Sequence, residues 1–236
     1  MAHIVGYRKE SFKGIPTSHI FLIIIVTVAL IGFMLNPADN WKDNILSMLG
    51  TVAVIVVIVG FALNKVNPMG WKRLFKKAEF ERLVQADHTI LASLQSLNND
   101  HYVMYDFNFE LLHVEFLVLG PQGIFVVGKL TSSEPLRVDA GTLMAGNEPL
   151  SKQTGNLWRI CHLINIVLKK GYKEEIMPQP VLVATHCDSV AIAEYDGIAI
   201  MGPGDIASHI QHHAQNDIQR EVVQGFAGYL HKRYFK

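Results

Sequence analysis

Hydrophobic positions are distributed unevenly along the 236 residues, and two uncharged stretches near the N-terminus stand out. Residues 20–35 are almost entirely aliphatic, and residues 45–63 are rich in valine and isoleucine. The uncharged segments that contain these stretches, residues 14–38 and 44–64, are each long enough for about 20 helical residues, which at a rise of about 1.5 Å per residue match a hydrocarbon core about 30 Å thick. The pattern predicts a transmembrane helical hairpin over residues 18–64, after an N-terminal tail at residues 1–17.

Cations flank this predicted hairpin at Arg8, Lys9, Lys13, Lys65, Lys72, Arg73, Lys76 and Lys77. The loop between the spans has only Lys42, beside Asp39 and Asp43. By the positive-inside rule both termini are expected in the cytoplasm, with the loop outside. A cleavable signal peptide is the alternative for the first span, but a second span follows at once. We expect a multi-pass protein of a bacterial inner membrane.

Residues 65–80 follow the second span directly and mix cations with apolar residues. Trp71, Leu74, Phe75 and Ala78 recur at helical spacing, with basic residues between them. This pattern predicts an interfacial amphipathic helix attracted to anionic headgroups, and a nucleic-acid patch is the alternative. The predicted membrane-surface residues are Lys65, Trp71, Lys72, Arg73, Lys76 and Lys77.

From residue 81 to residue 236, short apolar runs alternate with longer segments of helical periodicity. The predicted helices are residues 77–96, 152–169, 205–213 and 218–234, with Asp205 as a candidate N-cap. The predicted strands are residues 102–107, a hairpin over 111–130, and residues 136–138, 181–184 and 198–201. Strands between helices predict an α/β fold with a mixed central sheet flanked by helices.

The hairpin at residues 111–130 is apolar at odd and even positions, so both faces should be covered. Gly120-Pro121-Gln122-Gly123 predicts a three-residue turn with a bulge, with Gly123 in the left-handed region. Glu115 interrupts the first strand, and burying an unpaired carboxylate costs several kcal/mol. Glu115 is therefore either a paired strand-end residue, for example with Lys129, or part of a functional site.

This order of an acid, an apolar run, Gly-Pro-x-Gly and Ile-Phe-Val-Val resembles the nuclease-related domain (NERD) family, whose fold is similar to that of restriction endonucleases, the PD-(D/E)xK nucleases. The resemblance extends from about Ala78 to the C-terminus. It implies a helix acid at Asp87, a strand acid at Glu115 and a helix-start glutamine at Gln153. Gly128 and Leu130 stand where the family has glutamate and lysine. Lys129 is expected on the opposite face because side chains alternate along a strand.

A metal-dependent phosphodiesterase needs at least two carboxylates for Mg²⁺ and a lysine near the attacked phosphate. The altered motif predicts a non-catalytic interaction module without a cofactor, bound to a protein partner in a membrane complex and packed as a homo-oligomer. The resemblance suggests DNA transfer, such as conjugation, or exclusion of incoming DNA. The alternative is a membrane-tethered Mg²⁺-dependent nuclease, with Asp87 and Glu115 on the metal and Lys129, Gln153 or Glu134 completing the site.

Charge changes the expectation for nucleic acid. From residue 81 onward there are 12 lysines and arginines against 17 acids, a net charge of −5 (12 minus 17), which weighs against strong DNA affinity and leaves DNA binding open.

Three further groups could carry chemistry. His209, His212 and His213 have a spacing that permits a metal site but also suits exposed helical histidines. Cys161-His162 and His186-Cys187-Asp188 place thiol beside imidazole, although adjacent side chains on a helix or strand point apart.

Overall fold

The computed structural model describes residues 1–6, 77–186, 191–213 and 218–235. The chain divides into two compact units, residues 1–8 with 83–236 and residues 9–82, and every described strand belongs to the first unit. The strands are β1 (His3–Gly6), β2 (Tyr102–Phe109), β3 (Leu112–Gly120), β4 (Gly123–Leu130), β5 (Leu136–Asp139), β6 (Thr142–Ala145), β7 (Glu148–Pro149), β8 (Gln179–Ala184), β9 (Glu194–Tyr195) and β10 (Ile198–Met201). The helices are α1 (Lys77–Gln95), α2 (Ser151–Tyr172), α3 (Ile206–His212) and α4 (Arg220–Tyr234).

A seven-stranded mixed sheet has the order β1-β2-β3-β4-β8-β10-β9, which confirms the α/β class with helices on a mixed sheet. The β3–β4 hairpin lies at its centre, and all eight residues of β4 are buried. β4 pairs antiparallel with β3 and parallel with β8. The expectation that both faces of the hairpin are covered is confirmed.

Two hydrophobic cores cover the two faces of the sheet. On one face, Leu117, Val126 and Leu130 of the hairpin pack with apolar residues of α2 and α4 in a cluster that we call the α2-side core. On the other face, Phe125 and Val127 pack with apolar residues of α1 and α3 in a cluster that we call the α1-side core. Residues of opposite parity on β4 therefore enter different cores, as period-two geometry requires.

Most predicted elements appear with shifts of a few residues at their ends, and the strand at residues 198–201 has the expected bounds. The hairpin turn differs, because Gly120 pairs directly with Gly123 and leaves a loop of two residues, Pro121 and Gln122. The predicted three-residue turn with a bulge is therefore wrong. Asp205 precedes α3, but its side chain makes no capping hydrogen bond. The predicted strand at residues 136–138 belongs to a separate small sheet of order β5-β6-β7, two of whose strands were not predicted.

The first residues of the chain form a strand that was predicted as part of a tail. β1 pairs parallel with β2, with His3 opposite Tyr102 and Gly6 opposite Tyr105. Ile4 packs on the α1-side core, and the N-terminal amine donates a hydrogen bond to Asn99 Oδ1 at 2.7 Å. The first residues of the chain thus belong to the same compact unit as residues 83–236.

The predicted spans at residues 18–64 and the predicted surface residues Lys65, Trp71, Lys72, Arg73 and Lys76 lie outside the described residues, and Lys77 is the first residue of α1. Within the described ranges, no helix combines the length and apolarity that a membrane span requires.

Ile4→Asp tests whether β1 is structural. We expect it to lower the free energy of unfolding by about 1–3 kcal/mol, because a charge would enter a partly buried apolar contact. Val138→Asp is the matched control, since Val138 is a strand residue that is 51% exposed, and its effect should stay within about 0.5 kcal/mol. Urea denaturation of the full chain in detergent measures both. Equal effects would show that β1 contributes no more than a tail.

Candidate functional site

The candidate site begins where β3 and β4 separate. Their pairing ends at Phe116 opposite Val127, whereas β2 and β3 remain paired as far as Phe109 opposite Leu112. Lys129 therefore lies on β4 beyond the last residue that β3 pairs with. Its backbone N–H and C=O need other partners, because an unpaired buried backbone group costs free energy comparable to a lost hydrogen bond.

A break in the alternation of β2 and β3 accompanies this separation. The paired residues Tyr105 and Phe116 pack on the α1-side core, but the pair two residues closer to the hairpin tip, Phe107 and Val114, packs on the α2-side core. Asp106, between Tyr105 and Phe107, has a φ of +56°, in the left-handed region. The two paired strands thus change faces together at Asp106 and Glu115. In the sequence, the polar Asp106 between the aromatic Tyr105 and Phe107 is the signal that could indicate this change of faces.

Two side chains replace the missing strand at Lys129. Its backbone N–H donates a hydrogen bond to Glu115 Oε2 at 2.7 Å, and its C=O accepts one from Gln153 Nε2 at 2.6 Å. Glu115 comes from β3, and Gln153 from the first turn of α2. Two of the three residues named by the family resemblance, Glu115 and Gln153, therefore satisfy the backbone of one strand residue.

The Lys129 side chain makes an ion pair with Asp87 of α1. The two side chains are only 5% and 14% exposed, so water screens this pair weakly. The four predicted catalytic residues, Asp87, Glu115, Lys129 and Gln153, are thus brought together around Lys129.

The expectation that Lys129 and the altered motif positions lie on opposite faces of β4 is confirmed. Asp87 lies on the lysine's own face, because α1 packs there. A β-carbon added at Gly128 would come 3.1 Å from Leu157 Cδ2 of α2. Leu130 is 4% exposed in the α2-side core. The two positions that the resemblance aligns with the acid and lysine of the nuclease motif are therefore filled with apolar packing.

Both carboxylates of this cluster contact Lys129. Nowhere in the described ranges do three or more His, Cys, Asp or Glu side chains group in a way that could hold a metal ion. Asp87 contacts the Lys129 ammonium, and Glu115 accepts from the Lys129 amide, whereas Mg²⁺ demands near-octahedral oxygen ligands. Glu134 packs against Gly146, beside the small sheet, and its backbone N–H donates to Ser132 Oγ at 3.2 Å.

The three candidate histidines contact other groups of the protein. The rings of His209 and His213 lie 5.5 Å apart, and burial, followed by the neighbouring His213, lowers the pKa of His209. His212 Nδ1 donates a hydrogen bond to the Ser208 carbonyl at 2.7 Å. Ring-packed histidines of this kind suit a helix surface as well as a metal.

The Cys161-His162 pair does not form an evident nucleophilic site. Cys161 is buried in α2, and burial raises the pKa of its thiol to about 12, which disfavours the reactive thiolate. The neighbouring His162 ring lies 5.8 Å from the ring of Trp158. Cys187 and Asp188 lie outside the described residues.

Comparison of the chain with protein-family models, with curated proteins and with solved structures found no match in any of the three. The resemblance to the nuclease-related domain family therefore stays a prediction from the residues.

Lys129→Met tests the ion pair. We expect it to lower the free energy of unfolding by about 2–4 kcal/mol, since it leaves Asp87 charged and poorly solvated. Adding Asp87→Asn should recover part of that loss, because the uncompensated charge is removed. Lys169→Met is the matched control, because Lys169 and Glu175 form a pair at 3.0 Å that is 61% and 71% exposed, and its effect should stay below about 1 kcal/mol. Equal effects of the two lysine substitutions, measured by urea denaturation, would contradict the burial argument.

Proposed function

We propose that this chain is a non-catalytic interaction module of nuclease-like fold, anchored at the cytoplasmic face of a bacterial inner membrane. The proposal rests on the contacts of Lys129 with three neighbouring side chains. Its ammonium is paired with Asp87, its amide with Glu115 and its carbonyl with Gln153. Residues that would perform catalysis in a related nuclease here hold α1, α2 and two strands together.

Phosphodiester hydrolysis would require a different arrangement of the same groups. The carboxylates would have to offer oxygen atoms to Mg²⁺, and the lysine would have to approach the attacking water or the phosphate. Asp87 and Lys129 instead neutralise each other. Val127, which shares a strand face with Lys129, is 1% exposed and apolar. No further carboxylate is supplied on that face of β4, so the proposal is a module that has lost the chemistry and kept the fold.

The position of β1 supports the proposed anchoring. β1 and β2 belong to one sheet, so residues 1–6 and residues 77 onward lie on the same side of any membrane that the intervening chain crosses. An even number of crossings is therefore required. The two spans predicted within residues 18–64 meet this requirement, and the surrounding cations favour the cytoplasmic side for the sheet.

The partner of the module follows from composition and resemblance. The net charge of −5 from residue 81 onward (12 basic minus 17 acidic residues) disfavours a duplex backbone as the main ligand. We propose a protein partner in a membrane complex, with self-association through the spans as a second contact. DNA transfer or exclusion of incoming DNA is the process that the nuclease-like resemblance suggests.

A second candidate function is a Mg²⁺-dependent nuclease with a divergent active site. One observation favours it: Asp87, Glu115, Lys129 and Gln153 meet at one place although they are distant in sequence. If the cluster is structural, its side chains need only bind the backbone groups that the separation of β3 from β4 leaves without a strand partner. If it is catalytic, a metal must also displace the Asp87–Lys129 ion pair.

Mg²⁺-dependent DNA cleavage by the purified full chain separates the two functions. We expect no cleavage above that of Glu115→Gln, a variant that keeps an oxygen acceptor for the Lys129 amide while removing the negative charge. The assay uses single-stranded and duplex DNA with Mg²⁺ or Mn²⁺, and circular dichroism confirms that both proteins are folded. Cleavage by the wild type that Glu115→Gln abolishes would overturn the non-catalytic proposal and establish the enzyme.

A further inference from the structure

The tip of the β2–β3 hairpin carries a leucine that the fold does not bury. Phe109 pairs with Leu112, so the loop between the strands has two residues, Glu110 and Leu111. Leu111 is 100% exposed, more than any other large hydrophobic residue among the described ranges. A single exposed leucine is common on protein surfaces, so exposure alone indicates no function.

Backbone strain makes this leucine unusual. Glu110 has a φ of +44° and Leu111 a φ of +75°, both in the left-handed region. Two-residue hairpin loops with positive φ at both positions strongly prefer Asn-Gly or Asp-Gly, because other side chains clash with the backbone there. Neither core packing nor turn preference accounts for a leucine at this position, and strained residues cluster at functional sites.

Basic and aromatic groups of α4 surround the tip. Arg233 Nη2 lies 2.6 Å from Glu110 Oε1, and the Tyr234 hydroxyl donates a hydrogen bond to the same oxygen at 2.7 Å. The Arg233 guanidinium also lies 5.6 Å from the centre of the Tyr234 ring. The last turn of α4 carries His231, Lys232 and Arg233. Arg233 neutralises Glu110, and Lys232 of the same helical turn adds a second cation next to this pair in sequence.

The tip lies at the end of the sheet from which the chain leaves for residues 7–76. β1 runs parallel to β2, so at Gly6 the chain is heading toward the tip. α1 runs the other way, since Asp87 contacts Lys129 at the end of β4, and the turn after α1 leads to Tyr102, at the start of β2.

Chain length allows the tip to reach a bilayer. Leu111 is six residues beyond Tyr105, the partner of Gly6, which is about 20 Å at about 3.3 Å per residue. The eleven residues from 7 to 17 can span up to about 36 Å when extended. An anchor that begins near residue 18 therefore leaves the tip within reach of the membrane surface.

We propose that Leu111 and the basic last turn of α4 dock on the anionic headgroup surface of the bilayer, with the leucine entering the interface. This inference rests on the proposed anchoring of residues 18–64. One leucine and a few cations bind a free membrane weakly, but the anchor holds the domain at a high effective concentration beside the bilayer. Docking fixes the orientation of the domain and turns its opposite end toward the cytoplasm.

A fluorophore at the tip tests the contact in the full chain. Leu111→Cys in a Cys187→Ser background is labelled with a polarity-sensitive nitrobenzoxadiazole probe, since buried Cys161 resists labelling. The matched control is Gln95→Cys, an exposed position at the opposite end of α1. In phosphatidylcholine and phosphatidylglycerol vesicles containing nitroxide lipid, the tip probe should shift to the blue and be quenched several-fold more than the control, with less quenching in phosphatidylcholine alone.

A second pair of proteins avoids dependence on the label at the tip. A probe at His113→Cys, beside the tip, should lose quenching when Leu111→Gly is added. Glycine suits the positive φ, so the thermal midpoint should not fall. Equal quenching of tip and control probes overturns the inference, and a blue shift without quenching shows that protein, for example a second copy, covers the tip instead of lipid.

Alkaline extraction of the same vesicles separates failure of the inference from failure of the anchor. Protein that resists extraction while its tip probe stays unquenched overturns the docking and leaves the anchor standing. Protein that is extracted overturns the anchoring and the docking together.

Discussion

The separation of β3 from β4 is the constraint on which the centre of this domain depends. Once Lys129 passes the last β3 partner, its amide and carbonyl must be satisfied in a nearly dry place. Glu115 and Gln153 do this from β3 and α2, and Asp87 binds the ammonium from α1. One strand residue thereby connects four elements, so each of its partners has a structural reason to be present.

That arrangement gives one physical account of an apparent catalytic cluster. A divergent nuclease and a repaired strand separation would both gather acids, an amide and a lysine at the end of β4. The two arrangements differ in which carboxylate oxygens remain available, because a metal requires oxygens that are not already bound to another group. The apolar contacts at Gly128 and Leu130 place the altered family positions in the core, which favours the structural account.

Sequence patterns predicted the long elements well, because α1 and α2 have apolar residues at helical spacing and the central hairpin consists of two continuous apolar runs joined by a Gly-Pro-Gln-Gly turn. They missed β1 and most of the small sheet, whose strands are two to four residues long and are fixed by long-range pairing. The loop of the central hairpin was predicted one residue too long, since Gly-Pro-Gln-Gly fits more than one turn geometry. Only the pairing of Gly120 with Gly123 decides between them.

The sequence indicated which residues to consider for the candidate site, but it did not indicate how they are arranged. The family resemblance named Asp87, Glu115 and Gln153, and alternation correctly separated Lys129 from Gly128 and Leu130. Alternation could not reveal that α1 covers the face of Lys129, because helix placement depends on the whole sheet. The positive φ at Asp106 and the change of faces beside it also depend on tertiary packing.

Hydrogen exchange at the Lys129 amide tests whether the Glu115 carboxylate holds the backbone of β4. We expect strong protection of this amide that falls in Glu115→Ala and does not fall in Glu134→Ala. Adding Mg²⁺ should not change the protection, since Glu115 binds the backbone. Protection that survives Glu115→Ala, or that changes with Mg²⁺ in the wild type, would contradict this account and show that the Glu115 carboxylate is free to serve a metal.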